Sequence, residues 1–229
     1  MITRLSNAVR SRLLRRSFAL NELDFKLRPY LDYRGGFFVE AGANDGINQS
    51  NTLYFEKYLG WHGLLIEAIP ALAESCRRNR PNCQVESCAL VAAGYPQPTV
   101  EMRYANLMSF VKGAFGSEQE DARYLESGQR FLRGDEKPYT LTVPARTLSQ
   151  VLAARGIDRV DFMSLDVEGA EIEVLQGIDL EVIAPAFLLV EVWHEKGDRI
   201  KALLAPFYEL VQVLNANDSY ADILFRARK

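Results

Sequence analysis

Two acid-bearing stretches hold the residues that could do chemistry in this chain. In the first, Phe37-Phe38-Val39-Glu40-Ala41 runs into Gly42-Ala43-Asn44-Asp45-Gly46. Apolar residues close on an acid and then on a glycine-punctuated loop, the pattern of a buried strand that ends abruptly at a ligand. Gly42 has no side chain, so the backbone there is expected to approach a bound molecule closely. Asn44 tolerates the left-handed conformation of such a turn, and Gly46 is expected to clear space on its far side. A dinucleotide fingerprint needs Gly at the first, third and sixth positions. Those are Gly42, Asn44 and Ile47 here, so two of three fail. A phosphate loop would end in Gly-Lys-Ser/Thr, and Asp45-Gly46-Ile47 does not. Glu40 and Asp45 would repel a pyrophosphate and suit a cation. S-adenosylmethionine carries a sulfonium and an ammonium and no phosphate, and it fits this loop better than NAD or ATP. Gly63-Leu64-Leu65-Ile66-Glu67 then closes a second strand on an acid placed to accept from both ribose hydroxyls.

The second stretch, Asp161-Phe162-Met163-Ser164-Leu165-Asp166-Val167-Glu168-Gly169-Ala170-Glu171, ends a strand on Asp166 and opens a helix at Glu168. A helix N-terminus stabilises carboxylates, so Glu168 and Glu171 also have a plain reading as first-turn acids. Asp166 sits where strand order is expected to reverse, facing the reactive end of the cofactor. Asp166, Glu168 and His194 are the candidate catalytic groups, each of a type that can move a proton near a reacting centre. His194 follows a strand at the ligand edge, beside Trp193; His62 reads as structural. Asp166, Glu191 and His194 would also be the ligands of a divalent cation, Mg²⁺ or Mn²⁺, if one took part. The competing reading has Glu191 pointing into the sheet or pairing with an arginine.

Alternating strands and helices must position these residues. Strands are expected at 37–40, 64–67, 85–91, 140–143, 161–166 and 186–193, with a terminal pair at 208–214 and 220–227. Residues 99–104 alternate as an edge strand. Gly60, Gly156 and Gly177 stop helices, Pro70 starts one, and Thr147-Leu148-Ser149-Gln150 is a capping box. The expected fold is α/β: a Rossmann-like sandwich whose seven-stranded sheet is mostly parallel with one antiparallel strand. Residues 105–138 lack strong periodicity and read as a substrate-facing insertion.

Hydrophobic residues make up 48% of the chain, enough for a large core, and no run is long enough to span a membrane. The net charge of −3 gives the body no attraction to nucleic acid. Residues 1–28 carry seven arginines and lysines against Glu22 and Asp24, a net of +5 that leaves −8 on the remainder. The domain reading is therefore a basic helical arm over 1–35 and a catalytic body over 36–229. Ile2, Leu5, Val9 and Leu13 recur at helical spacing between the arm's arginines. That helix would dock on its own body or on a second subunit in a homo-oligomer, lie on an anionic membrane, or act as a transit peptide. Three cysteines without a CxxC pair point to a reducing, cytoplasmic setting.

The chain resembles the FkbM family of S-adenosylmethionine-dependent methyltransferases. The resemblance rests on residues 38–46, on Ser50-Asn51-Thr52 with Phe55-Glu56, on Gly60 through Glu67, and on Asp161 through Glu171 with Val174-Leu175-Gly177. It implies a Rossmann-like methyltransferase fold and methyl transfer to oxygen, with a sugar, glycan or related small-molecule hydroxyl as acceptor. The cofactor-binding set is taken as Glu40, Gly42, Ala43, Asn44, Asp45 and Gly46, joined by Asn51, Glu67, Ala68, Ala89 and Asp166. Glu40 stands where the family commonly has Asp, and the longer acid is expected to reach the methionine end of the donor. The alternative function is a non-catalytic cofactor-fold module that recruits a partner through its arm and insertion.

Overall fold

Alternation along the central strands sets the architecture. The computed structural model describes residues 16–228. Its strands are β1 (Phe37–Ala41), β2 (His62–Ile66), β3 (Gln84–Glu86), β4 (Ala89–Leu90), β5 (Thr99–Tyr104), β6 (Phe110–Val111), β7 (Tyr139–Arg146), β8 (Phe162–Leu165), β9 (Phe187–Trp193), β10 (Tyr208–Ala216) and β11 (Tyr220–Ala227). Its α-helices are α1 (Leu23–Leu31), α2 (Leu53–Leu59), α3 (Pro70–Asn79), α4 (Glu118–Gly128), α5 (Leu148–Ala154), α6 (Glu171–Gln176) and α7 (Gly197–Leu204). In β1, Val39 and Ala41 face a core shared with Leu148, Val151 and Leu152 of α5, Ile172 and Val174 of α6, and Ile200 of α7. Phe38 faces the opposite core, built with Leu27 and Leu31 of α1, Tyr54 and Phe55 of α2, and Ala73 and Cys76 of α3. A strand that is apolar on both faces needs helices on both faces, and the result is a three-layer α/β/α sandwich.

The main sheet has seven strands in the order β10-β11-β9-β8-β1-β2-β3. Neighbours from β3 to β9 are parallel; β11 runs antiparallel to both β9 and β10. This is the expected Rossmann-like sheet with one reversed strand. Strand order reverses at β1, which lies between β2 and β8. Gly60 ends α2 in the left-handed conformation, and Thr147 and Gln150 form the expected capping box.

Three expectations change. The single strand over 85–91 is two strands: β3 completes the main sheet, whereas β4 pairs with β7 in a second sheet ordered β4-β7-β5-β6. The chain crosses between sheets at Ser87-Cys88. Residues 99–104 form no edge strand, because β5 is paired on both sides, by β7 and β6. The weakly periodic stretch 105–138 carries β6, α4 and two 3₁₀ turns. The amphipathic arm over Ile2–Leu13, with its membrane and second-subunit readings, lies outside the described residues. Downstream of it, Asp24 is fully buried and accepts from Ser17 Oγ and the amides of Phe18 and Phe25, fastening α1 to the body.

Candidate active site

The register of the parallel strands places the chemistry in one row. Ala41 pairs with Ile66 on one side and with Leu165 on the other, and Leu165 pairs with Val190. The next residue on each strand is therefore Glu67, Gly42, Asp166 and Glu191, side by side at the carboxyl edge. Glu191 pairs in turn with Asp222 of β11. Strands lie about 4.8 Å apart, so four carboxylates and one glycine share a single edge. Glu67, Gly42, Asp166 and Glu191 line a cavity of about 770 Å³ that reaches from Ala68 and Ala89 to Trp193 and Tyr220.

Glu67 organises the donor-side loop. Its Oε2 accepts from the Asn44 amide (2.8 Å) and its Oε1 from the Ile69 amide (2.8 Å). Burial lifts its carboxyl to about 7 against the pull of those amides. Asn44 adopts φ +48, the left-handed turn its type allows. Ala43, Asn44, Asn51, Ala68 and Ala89 all line the cavity. Gly42 lines the cavity and meets a second demand as well. A Cβ there would lie 1.7 Å from the Asp166 carbonyl oxygen, so the glycine also lets β1 and β8 close on each other. Gly46 likewise faces the Arg80 stem and Cys76, not open space.

Glu40 and Asp45 hold the loop from within. Glu40 accepts from Ser50 Oγ, the Asn51 amide (2.7 Å) and Thr52 Oγ1 (2.6 Å). Arg80, fully buried, lies 3.8 Å from Glu40, ion-pairs with Glu56 and donates to the Gly46 carbonyl at 2.9 Å. Glu40 thus binds Ser50, Asn51 and Thr52 while it also lines the cavity. Asp45 accepts from the amides of Ile47 and Asn48, approaches Arg133 at 3.4 Å, and stands outside the cavity lining.

At the other end, burial and crowding act together. Asp166 is raised to about 7 by burial, with Glu171, Asp222 and Glu40 adding repulsion. Glu168 is pushed well above the ordinary carboxylate range by burial and by Asp166, and it accepts a hydrogen bond from the Tyr124 hydroxyl. Glu191 is raised to about 12 by burial and its acidic neighbours. Glu171 turns inward and accepts from the amides of Val167 and Gly169, a structural role. Four cavity-lining residues carry a buried polar atom without a partner: Asn44 Oδ1, Asn51 Oδ1, Asp166 Oδ1 and Trp193 Nε1. Three are acceptors, so the cavity suits a ligand that brings N–H or O–H donors and positive charge.

His194 is not brought to this cavity. It is exposed, a ring nitrogen lies 2.7 Å from the Asn217 carbonyl, and it is absent from the lining. A short 3₁₀ turn after β9 carries it past the edge, which removes it as a base and as a partner for Asp166 and Glu191. Among the described residues no group of three or more His, Cys, Asp or Glu is arranged to hold a metal ion. Sequence reasoning missed Tyr124, whose ring stacks on Phe115 at 4.0 Å and meets Trp193 edge-on at 5.7 Å. A signal for its helix was present. Ser117-Glu118-Gln119-Glu120 is a capping pattern, and Ser117 Oγ accepts from the Glu120 amide. Arg80 left no comparable signal in the sequence.

The family model for the methyltransferase FkbM domain matches residues 40–222. A methyltransferase of Sordaria araneosa, sdnD, is 29% identical over 192 residues, covering 73% of this chain and 71% of that one. Among solved structures, a TehB-like S-adenosylmethionine-dependent methyltransferase from Corynebacterium glutamicum aligns over 96% of both chains at 11% identity and a TM-score of 0.47. One from Aquifex aeolicus aligns over 98% of this chain and 100% of its own at 10% identity and a TM-score of 0.46.

Proposed function

The chain belongs to the FkbM methyltransferase family, and from that premise we propose that it methylates a hydroxyl oxygen on a sugar, glycan or related small metabolite. It is an S-adenosylmethionine-dependent methyltransferase. The observation that carries the finer reading is the in-register row Glu67, Gly42, Asp166 and Glu191 along one cavity. Its Glu67 end holds the donor: Glu67 accepts from ribose hydroxyls, Asn44 and Asn51 offer unpartnered carbonyl oxygens, and Ala43, Ala68 and Ala89 leave room beside them. Asp166 and Glu191 continue the row toward the acceptor.

When bound, the donor supplies a methyl group already activated on a sulfonium. The protein's share is alignment and removal of one proton. Asp166 is the group placed to take that proton. A carboxyl with a pKa near 7 is ionised in part at neutral pH and is still a useful base. Glu168, tied to the Tyr124 hydroxyl, positions the acceptor side. Glu40, Asp45 and Arg80 keep the loop in shape.

Calorimetric titration with S-adenosylhomocysteine, followed by transfer of labelled methyl from S-adenosylmethionine to pooled glycans and metabolites, tests this reading. Saturable binding with base-stable label on oxygen supports it. Absence of binding at millimolar ligand, or label on carbon or nitrogen alone, removes it.

A further inference from the structure

The acceptor end of the cavity is acidic and aromatic at once. Tyr124, Trp193 and Tyr220 line it together with Glu168 and Glu191. The Trp193 ring centre lies 5.7 Å from that of Tyr124 and 6.1 Å from that of Tyr220. Phe115 backs Tyr124 by stacking. Among the described residues of the lining, six are acids (Glu40, Glu67, Asp166, Glu168, Glu191, Asp218) and one, Arg130, is basic. Lys196 comes to the same end of the molecule, but its ammonium is bonded to the carbonyls of Ala114 and Gly169 and does not line the cavity.

This balance discriminates among acceptors. A phosphorylated or carboxylated acceptor would be repelled by every one of these acids that ionises and would itself oppose their ionisation. A neutral one would leave Glu168 and Glu191 holding protons, whereas an ammonium between them lets them ionise and pair with it. With Glu67 on the ribose and Asp166 on the hydroxyl proton, Glu168 and Glu191 are the acids at this end that have no ligand group assigned to them. Aromatic faces beside carboxylates are also how proteins hold ammonium groups. The buried, unpartnered Trp193 Nε1–H needs an oxygen on the ligand.

We infer that the acceptor is a hydroxylated amine, such as an amino sugar, whose ammonium lies against Glu168, Glu191 and the rings of Trp193 and Tyr220. The inference rests on the methyltransferase reading above and names the chemical class that its acceptor site takes. The ammonium serves as the handle by which the molecule is recognised, and the Trp193 N–H orients one of its oxygens.

The test uses the full chain saturated with S-adenosylhomocysteine and titrated with glucosamine, N-acetylglucosamine and glucose, and with 2-aminocyclohexanol against cyclohexane-1,2-diol. Each amine is expected to bind at least tenfold more tightly than its uncharged counterpart. Glu191→Gln is expected to reduce that ratio to about two or less while S-adenosylhomocysteine affinity holds. Trp193→Phe keeps the ring and most of the preference, whereas Trp193→Leu loses it. Retained S-adenosylhomocysteine binding with equal affinity for charged and uncharged probes, with no probe binding, or with a preference indifferent to Glu191→Gln overturns the inference and leaves the donor site intact. Failure of S-adenosylhomocysteine itself to bind overturns the methyltransferase reading and this inference with it.

Discussion

In the proposed mechanism two demands meet at Asp166: it must lie next to the reacting centre, and it must bind a proton with moderate strength. Burial and the surrounding acids bring its carboxyl to about 7. The rate should therefore fall as pH drops below about 7, where the base becomes protonated, and level off above it. Asp166→Asn should lower kcat by roughly 10²–10⁴-fold with little change in donor affinity, and the acidic limb of the pH profile should vanish with it. Steady-state kinetics between pH 5.5 and 9 give both readings. Glu67 has a separable role. Glu67→Ala removes the acceptor of the Asn44 and Ile69 amides as well as the proposed ribose contact. S-adenosylhomocysteine should bind it more weakly by about 2–4 kcal/mol, the scale of a lost charged hydrogen bond plus stranded amides, measurable by calorimetry.

Between elements, the donor loop is held by contacts that no single stretch of sequence contains. Gly42 has φ +85 and leaves no room for a Cβ against the backbone of Asp166. Gly42→Ala should destabilise the protein by roughly 3 kcal/mol or more, because a left-handed residue and a backbone collision add together. Urea unfolding measures it. Arg80 joins α3 to the β1 loop and to α2 through Gly46, Glu40 and Glu56. Arg80→Met strands two buried acids and should cost about 3–5 kcal/mol. Arg80→Lys should recover little of that, since one ammonium cannot serve Gly46, Ser50, Thr52 and Glu56 from the guanidinium's directions.

Over the whole molecule, the acid-lined cavity makes folding depend on pH. The Glu67 carboxyl titrates near 7 when folded and near its ordinary value of 4.5 when unfolded. The folded state therefore holds more protons between those values. Stability from this group is complete below about 4.5 and is lost as pH rises through 7, at most roughly 3 kcal/mol. Asp166 acts in the same direction. The apoprotein should thus be less stable to urea at pH 7.5 than at pH 5, and Glu67→Gln should flatten that slope. This ordering is opposite to that of a protein whose acids are salt-bridged, such as Glu86 here, which is held below its ordinary value by Arg155 and Arg146.

The strands, their order of alternation and the acids that close them were legible in the sequence, because periodicity and strand-end chemistry are local. Glu67 and Asp166 could be assigned to the cavity from their place after apolar runs alone. The same locality misjudged His194 and did not show the loop partners of Glu40. Whether a strand-end acid meets a ligand or a neighbouring loop depends on Ser50, Asn51, Thr52 and Arg80, up to forty residues away. His194 follows a strand as required, yet one short turn carries it past the edge. Gly42 was recognised as a cavity residue, but its second demand was not legible, since the atom that makes it is a carbonyl on another strand. Sequence by itself determined which residues end the strands and what chemistry they carry. Only the tertiary structure decided which of them share one cavity, because side chains far apart along the chain compete for the same few ångströms of buried space.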